Sequence, residues 1–193
     1  MIAQIKGKLI EKTPTYVVID CNGVGYQLNI SLNTFSKIGN EENCLLFAHY
    51  VVREDAHLLY GFKEKSEREL FRQLISVSGV GSSTAIMILS SLSPDETKAA
   101  IVSGNVNTLK GVKGIGLKTA ERIIIDLRDK VGKTEGNELF SMGSNNTIRE
   151  EALSALVMLG FSKMPAEKAL TKIMTETPNL TVEELIKRTL KSL

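Results

Sequence analysis

LISVSGVGSSTAIMILSSL, residues 74–92, and LKGVKGIGLKTAERIIIDL, residues 109–127, are one pattern written twice. Leu74, Val77, Gly79, Val80, Gly81, Thr84, Ala85, Ile88 and Leu92 return as Leu109, Val112, Gly114, Ile115, Gly116, Thr119, Ala120, Ile123 and Leu127, each displaced by 35 residues. A fixed displacement over so many positions marks a duplicated supersecondary unit. Each copy reads as helix, Gly-apolar-Gly turn, helix. The glycines reach positive φ and let another backbone approach, while the apolar residue between them plugs the turn into a core. The helix that follows starts with N–H groups that lack intrahelical partners. Together with the helix dipole they form a seat for an anionic oxygen such as a phosphate.

Other phosphate-binding patterns fail on spacing. A Walker loop counted from Gly111 requires Lys directly after Gly116, and Leu117 stands there. A dinucleotide fingerprint requires a third Gly where Thr84 and Thr119 stand, and a strand before the turn where the pattern is helical. For one copy alone, a plain helical hairpin whose glycines only close the turn explains the sequence as well. The duplication favours phosphate.

Composition agrees. The 193 residues are 42% hydrophobic and 24% charged, which suits a soluble protein of one to three domains. No apolar run reaches the roughly 20 residues of a membrane span, and the start, MIAQIKGKLIEK, lacks the apolar core of a signal peptide, so a cytoplasmic protein is expected. Cys21 and Cys44 have no CxxC spacing, and His49 and His57 are the only histidines, so reduced thiols and no metal or other cofactor are expected. Residues 1–62 carry 5 Lys/Arg against 6 Asp/Glu, residues 63–133 carry 12 against 8, and residues 134–193 carry 7 against 8. The excess positive charge lies on the segment that holds the repeat, as a phosphate-binding surface requires.

Before the repeat, strands are expected. Ile2 to Ile10, Tyr16 to Cys21 and Val24 to Ile30 are separated by Thr13-Pro14 and by the turn Asn22-Gly23. A short helical piece near Leu32 to Ile38 leads to Cys44 to Arg53 and Ala56 to Phe62, five strands that suggest a small barrel. The last two are joined through Glu54-Asp55, although a tight hairpin prefers Asn-Gly or Asp-Gly. A solvated turn explains that charged tip too.

Around and after the repeat, Ser66-x-x-Glu69 and Ser93-Pro94-Asp95-Glu96 read as capping boxes, and Gly104 as a helix stop. Lys118 and Arg122 share a helix face beside the second turn, with Lys113 just before it. Residues 132–146, GKTEGNELFSMGSNN, show no period and read as a flexible linker, in which Leu139, Phe140 and Met142 could dock on a neighbouring surface or simply be exposed. Residues 147–193 read as three helices. The first is capped by Thr147-x-x-Glu150, carries Ala152, Leu153, Leu156 and Leu159 and stops at Gly160; the second is opened by Pro165; the third is capped by Thr181-x-x-Glu184 with Leu185, Ile186 and Leu190 inward.

The tandem turns resemble the helix-hairpin-helix pair of DNA repair and recombination proteins. Leu109 to Asp126 resembles the second hairpin of the RuvA family of Holliday-junction-binding proteins, and residues 51–62, VVREDAHLLYGF, resemble that family's acidic-pin hairpin; length and layout agree. The resemblance implies an α+β multidomain chain: an OB-fold barrel with the pin over residues 1–63, a tandem helix-hairpin-helix domain over 64–131, the linker over 132–146, and a three-helix, UBA-like domain over 147–193 that holds the motor partner. It implies a non-catalytic protein that binds four-way DNA junctions without reading bases, in branch migration, recombination, repair and the SOS response to DNA damage. The implied partners are a RuvB-type hexameric ATPase and a RuvC-type junction resolvase, and the implied assembly is a homotetramer, or an octamer on DNA.

The DNA-binding residues carried over are Arg53, Gly79, Val80, Gly81, Ser82, Ser83, Thr84, Lys113, Gly114, Ile115, Gly116, Lys118, Thr119 and Arg122. Glu54 and Asp55 match the acidic pin, and Leu156, Leu159 and Phe161 are candidates for the partner surface or for plain core. One departure stands out: where the family commonly has Lys just after the first hairpin, this chain has Ser82-Ser83-Thr84. Hydroxyls can donate to phosphate but add no charge, so weaker binding and a smaller salt dependence are expected of the first hairpin.

Enzyme classes fit less well. A hairpin-containing DNA glycosylase needs a catalytic Asp roughly 20 residues beyond its hairpin, where Glu135 and Gly136 fall, and Asp126 and Asp129 come too early. A metal-dependent nuclease needs clustered carboxylates, and Glu54-Asp55 has no third ligand in view. A generic tandem-hairpin adaptor for forked DNA remains the alternative within the binding class.

Overall fold

The computed structural model describes residues 1–39, 41–139, 144–177 and 180–192, with side chains placed outside 132–139 and 144–147. Phe140 and Met142, and the side chain of Leu139, lie outside the described residues. Two compact units are formed, Met1–Thr134 and Glu135–Leu193.

The first unit begins with a closed barrel of β1 (Gln4–Lys12), β2 (Tyr16–Cys21), β3 (Val24–Asn29), β4 (Asn43–Val52) and β5 (His57–Phe62), in the order β1-β2-β3-β5-β4. Asn22 and Gly23 take φ of 55° and 90°, the left-handed pair that a two-residue hairpin between right-twisted strands requires. Closure rests on a single parallel step, Asn29 opposite Tyr60. Two glycines allow it. A Cβ on Gly7 would lie 2.1 Å from the carbonyl oxygen of Asp20, and one on Gly61 would lie 2.9 Å from Leu46 and 3.0 Å from Leu28 in the barrel core. That core is built from alternate strand residues, among them Val17, Ile19, Leu28, Leu46 and Ala48.

Helix α1 (Leu32–Lys37) lies between β3 and β4, and α2 (Lys65–Ile75), α3 (Ser82–Ser91), α4 (Pro94–Ser103), α5 (Val106–Lys110) and α6 (Leu117–Leu139) follow the barrel. Their core is the repeat itself: Leu74, Val77, Val80, Ala85 and Ile88 of the first copy are buried with Leu109, Val112, Ile115, Ala120, Ile123 and Leu127 of the second. Phe71 of α2 ties this core to the barrel. Its ring lies 5.0 Å from Phe62, 5.1 Å from Tyr60 and 5.4 Å from His49. Beside it, the buried carboxylate of Glu67 accepts hydrogen bonds from the hydroxyls of Ser31 and Thr34, the latter at 2.8 Å, and so ties α2 to α1. Barrel and hairpins therefore lie in one compact unit.

The capping box at Ser93 forms, and Gly104 ends α4 at φ 72°. Ser66 does not cap α2. The helix starts at Lys65 with Glu64 as N-cap and no side-chain capping bond, because the Glu64 carboxylate is held 2.8 Å from the Lys37 ammonium and Glu69 turns to Arg72. A second correction concerns residues 132–146. Helix α6 continues through Leu139 and the next helix starts at Ser144, so the backbone is helical over much of the expected linker and Thr147 lies inside a helix rather than at its cap. Glycines at 132 and 136 lower helix propensity without forbidding the conformation.

The second unit contains α7 (Ser144–Met158), α8 (Lys163–Glu176) and α9 (Val182–Ser192) around Ala152, Leu156, Ala166, Leu170, Ile173, Leu180 and Leu185. Thr181 and Glu184 form the expected reciprocal cap. Leu190 is exposed rather than inward; Thr189 takes the inner position and returns its hydroxyl to the carbonyl of Leu185 at 2.7 Å.

Candidate nucleic-acid interface

Both hairpin turns have the same local geometry. Gly79 and Gly114 adopt φ of 90° and 88°, and the amides of Val80 and Ile115 close the turns on the carbonyls of Val77 and Val112 at 3.0 and 3.1 Å. Val80 and Ile115 are buried, so they hold each turn against the core and offer a ligand only backbone. The first i→i−4 bonds are Ala85 to Gly81, 2.9 Å, and Ala120 to Gly116, 3.0 Å. Hence the amides of Ser82, Ser83 and Thr84, and of Leu117, Lys118 and Thr119, have no carbonyl one turn back within their helix. A Cβ placed on Gly79, Gly81, Gly114 or Gly116 would meet nothing within 4 Å, so protein leaves the space before both helix starts open. An anion fits there, at the positive ends of two helix dipoles.

The surrounding charge differs between the copies. Lys113, Lys118 and Arg122 are all exposed around the second turn. At the first, Ser83 is exposed and Thr84 half-buried, whereas Ser82 is only 5% exposed. The Ser82 hydroxyl oxygen accepts from Tyr60 Oη at 2.9 Å and from Arg53 Nη2 at 3.1 Å. Both lone pairs of the Ser82 hydroxyl are thus engaged within the protein, and its side chain is buried.

Arg53 begins the loop of the β4–β5 hairpin. The strands pair as far as Val52 opposite His57, and the amide of Arg53 donates to the carbonyl of Ala56 at 2.8 Å. Glu54 and Asp55 stand exposed at the tip, and neither takes positive φ. At the base Tyr50 Oη lies 2.7 Å from His57 Nδ1. The structure thus brings Arg53 to the first helix-hairpin-helix turn, with the two carboxylates immediately beyond it in the loop.

Three family models match the chain: "RuvA N terminal domain" over residues 1–61, "SAM-like Helix-hairpin-helix tandem" over 71–129, and "RuvA, C-terminal domain" over 147–193. A relative from Christiangramia forsetii, a "Holliday junction branch migration complex subunit RuvA", is 57% identical over the full length of both chains. Relatives of the same description from Flavobacterium psychrophilum and Bacteroides fragilis are 52% and 50% identical, again over all of both chains. The chain belongs to the RuvA family.

In this RuvA-family chain the third segment carries an apolar surface of its own. Around the turn between α7 and α8, Met158 is 86% exposed, Leu159 60% and Met164 65%, with Val157 beside them and Phe161 half-buried. Leu156 is fully buried, so this candidate for the partner surface is corrected to core. The helical period of α7 assigns Leu156 and Leu159 to one stripe, but Gly160, at φ 98°, ends the helix and leaves Leu159 in the turn. Sequence reading missed Tyr60, Ser82 as an acceptor, and Glu67. Only Glu67 left a signal, since it falls on the helix stripe of Leu70, Phe71 and Leu74.

Proposed function

We propose that this chain is the DNA-binding, non-catalytic subunit of a branch-migration complex in the cytoplasm, holding four-way junctions through backbone phosphates and delivering them to a RuvB-type hexameric ATPase. The observation that carries the reading is the pair of open, glycine-floored helix starts in one body, with exposed cations beside the second. Amides and cations reach phosphates without sequence information, because only contacts to base edges distinguish bases. Glu54 and Asp55 act as a pin that keeps converging phosphates apart, four copies of the chain surround one junction, a second tetramer closes on the other face, and a RuvC-type resolvase acts on the held junction. The surface of Met158, Leu159 and Phe161 docks the motor.

The test is Gly114→Asp, which places a carboxylate in the second seat. Junction affinity measured by fluorescence anisotropy should fall by at least about 10-fold, on the scale of a buried like-charge clash, while scrambling the arm sequences should leave the wild-type value nearly unchanged. Retained affinity in the variant, or strong dependence on arm sequence, overturns the reading.

A further inference from the structure

The first hairpin has no basic residue in its loop, yet a guanidinium is fastened to it. Arg53 belongs to the β4–β5 hairpin and Ser82 is the first residue of α3, 29 positions away in sequence, and Arg53 Nη2 donates to Ser82 Oγ at 3.1 Å. The second bond on that oxygen comes from Tyr60 Oη at 2.9 Å. Tyr60 is buried, with its ring 5.1 Å from Phe71, and Ser82 is buried with it, so the acceptor is held by the core of the body rather than by a mobile surface chain. An oxygen that accepts from a fixed phenol keeps one further lone pair, and its position is set by the buried chain that carries it. One of Arg53's five N–H groups takes that lone pair, and the others stay available to an oxyanion.

We propose that Tyr60 and Ser82 are positioning residues that hold the Arg53 guanidinium beside the amides at the start of α3, so that barrel and first hairpin form one phosphate seat. This rests on the reading that the hairpins bind DNA phosphates. In that seat the positive charge missing from Ser82-Ser83-Thr84 comes from the pin hairpin. The same strut fixes the base of the loop carrying Glu54 and Asp55 relative to the bound phosphate, since those residues follow Arg53 directly in the chain. A strut made by neutral hydroxyls adds no charge of its own. Its loss changes where the guanidinium sits, not how many charges the protein carries.

The test is a double-mutant comparison on full-length protein with a synthetic four-way junction at several salt concentrations. Tyr60→Phe, which keeps the ring and its packing, and Ser82→Ala should each weaken junction binding roughly 5-fold, the size of one neutral hydrogen bond. In an Arg53→Gln background the same two substitutions should change affinity less than about 2-fold, and Arg53→Gln alone should lower the slope of log affinity against log salt by about 1. Thermal melts of all variants confirm that the comparison is made on folded protein, and Tyr60→Phe carries the test should Ser82→Ala destabilise the fold. Equal effects of Tyr60→Phe with and without Arg53, or no effect in either, overturn the proposal. Failure of the underlying reading shows separately, as Gly114→Asp protein that still binds the junction like wild type.

Discussion

A residue's chemistry in this protein is set by what packs against it more than by its type. Ser82 and Ser83 are adjacent and identical, yet one is a buried acceptor and the other faces solvent. Glu67 is a carboxylate on an otherwise apolar stripe, kept there by two hydroxyl donors; without them it would be costly to bury. His49 is a third case. Its ring packs edge-on against Phe71, and Arg72 Nε donates to its Nδ1 at 3.4 Å, an arrangement that requires the neutral imidazole. Burial, then the nearby charges of Arg72 and Arg68, push its pKa below the ordinary 6.5. The unfolded chain therefore takes up a proton at His49 before the folded one does, so this contribution is present above about pH 6.5 and is lost as pH falls from there through the lower pKa of the folded state. The urea midpoint of wild type should drop between pH 7.5 and 5.5, and the drop should be smaller in His49→Gln. An identical drop in the variant would show that His49 is not its source.

At the scale of elements, the two helix-hairpin-helix copies are nearly one structure with two electrostatic settings. Backbone geometry repeats to within a few degrees at Gly79 and Gly114 because both turns answer the same steric demand. The charges do not repeat. Lys113, Lys118 and Arg122 surround the second turn, whereas the first has Arg53 from the β4–β5 hairpin, whose tip carries two carboxylates. Carboxylates on a DNA-facing surface oppose binding of any single duplex, and they become useful where strands separate around them, because repulsion then penalises the wrong ligand more than the right one. Glu54→Gln combined with Asp55→Asn should raise affinity for linear duplex and narrow the preference for four-way junctions, with an unchanged melting temperature because the tip is exposed. The ratio of junction to duplex dissociation constants at fixed salt measures this, and a ratio equal to wild type would reduce the pair to an ordinary turn.

At the scale of the whole molecule there are two bodies with separate cores. The Met1–Thr134 unit holds both open helix starts and the Glu54-Asp55 tip, and the Glu135–Leu193 unit holds the exposed turn of Met158 and Leu159. A chain ending at Thr134 should bind junctions within about 3-fold of full length, since neither seat loses a contact, yet should not stimulate the partner ATPase; stimulation by the shortened chain would move the motor surface elsewhere. The sequence by itself determined the duplicated unit, the strand-rich start, the three helices at the end and the residues of both turns. Those features are local or periodic, and a 35-residue repeat, a period of two or a capping box is complete within a short stretch of chain. Only the tertiary structure decided that Ser66 would not cap α2, that α6 would run on through Gly132 and Gly136, that Leu156 would be core while Leu159 faced outward, and that Arg53 would reach Ser82. Three of these depend on a partner or a packing surface remote in sequence: Lys37 for Glu64, the stacked helices of the second unit for Leu156, the Tyr60 phenol for Ser82. Periodicity states which face of an element is apolar. Which remote group covers that face, and what its polar atoms meet there, is settled only when the chain has closed on itself.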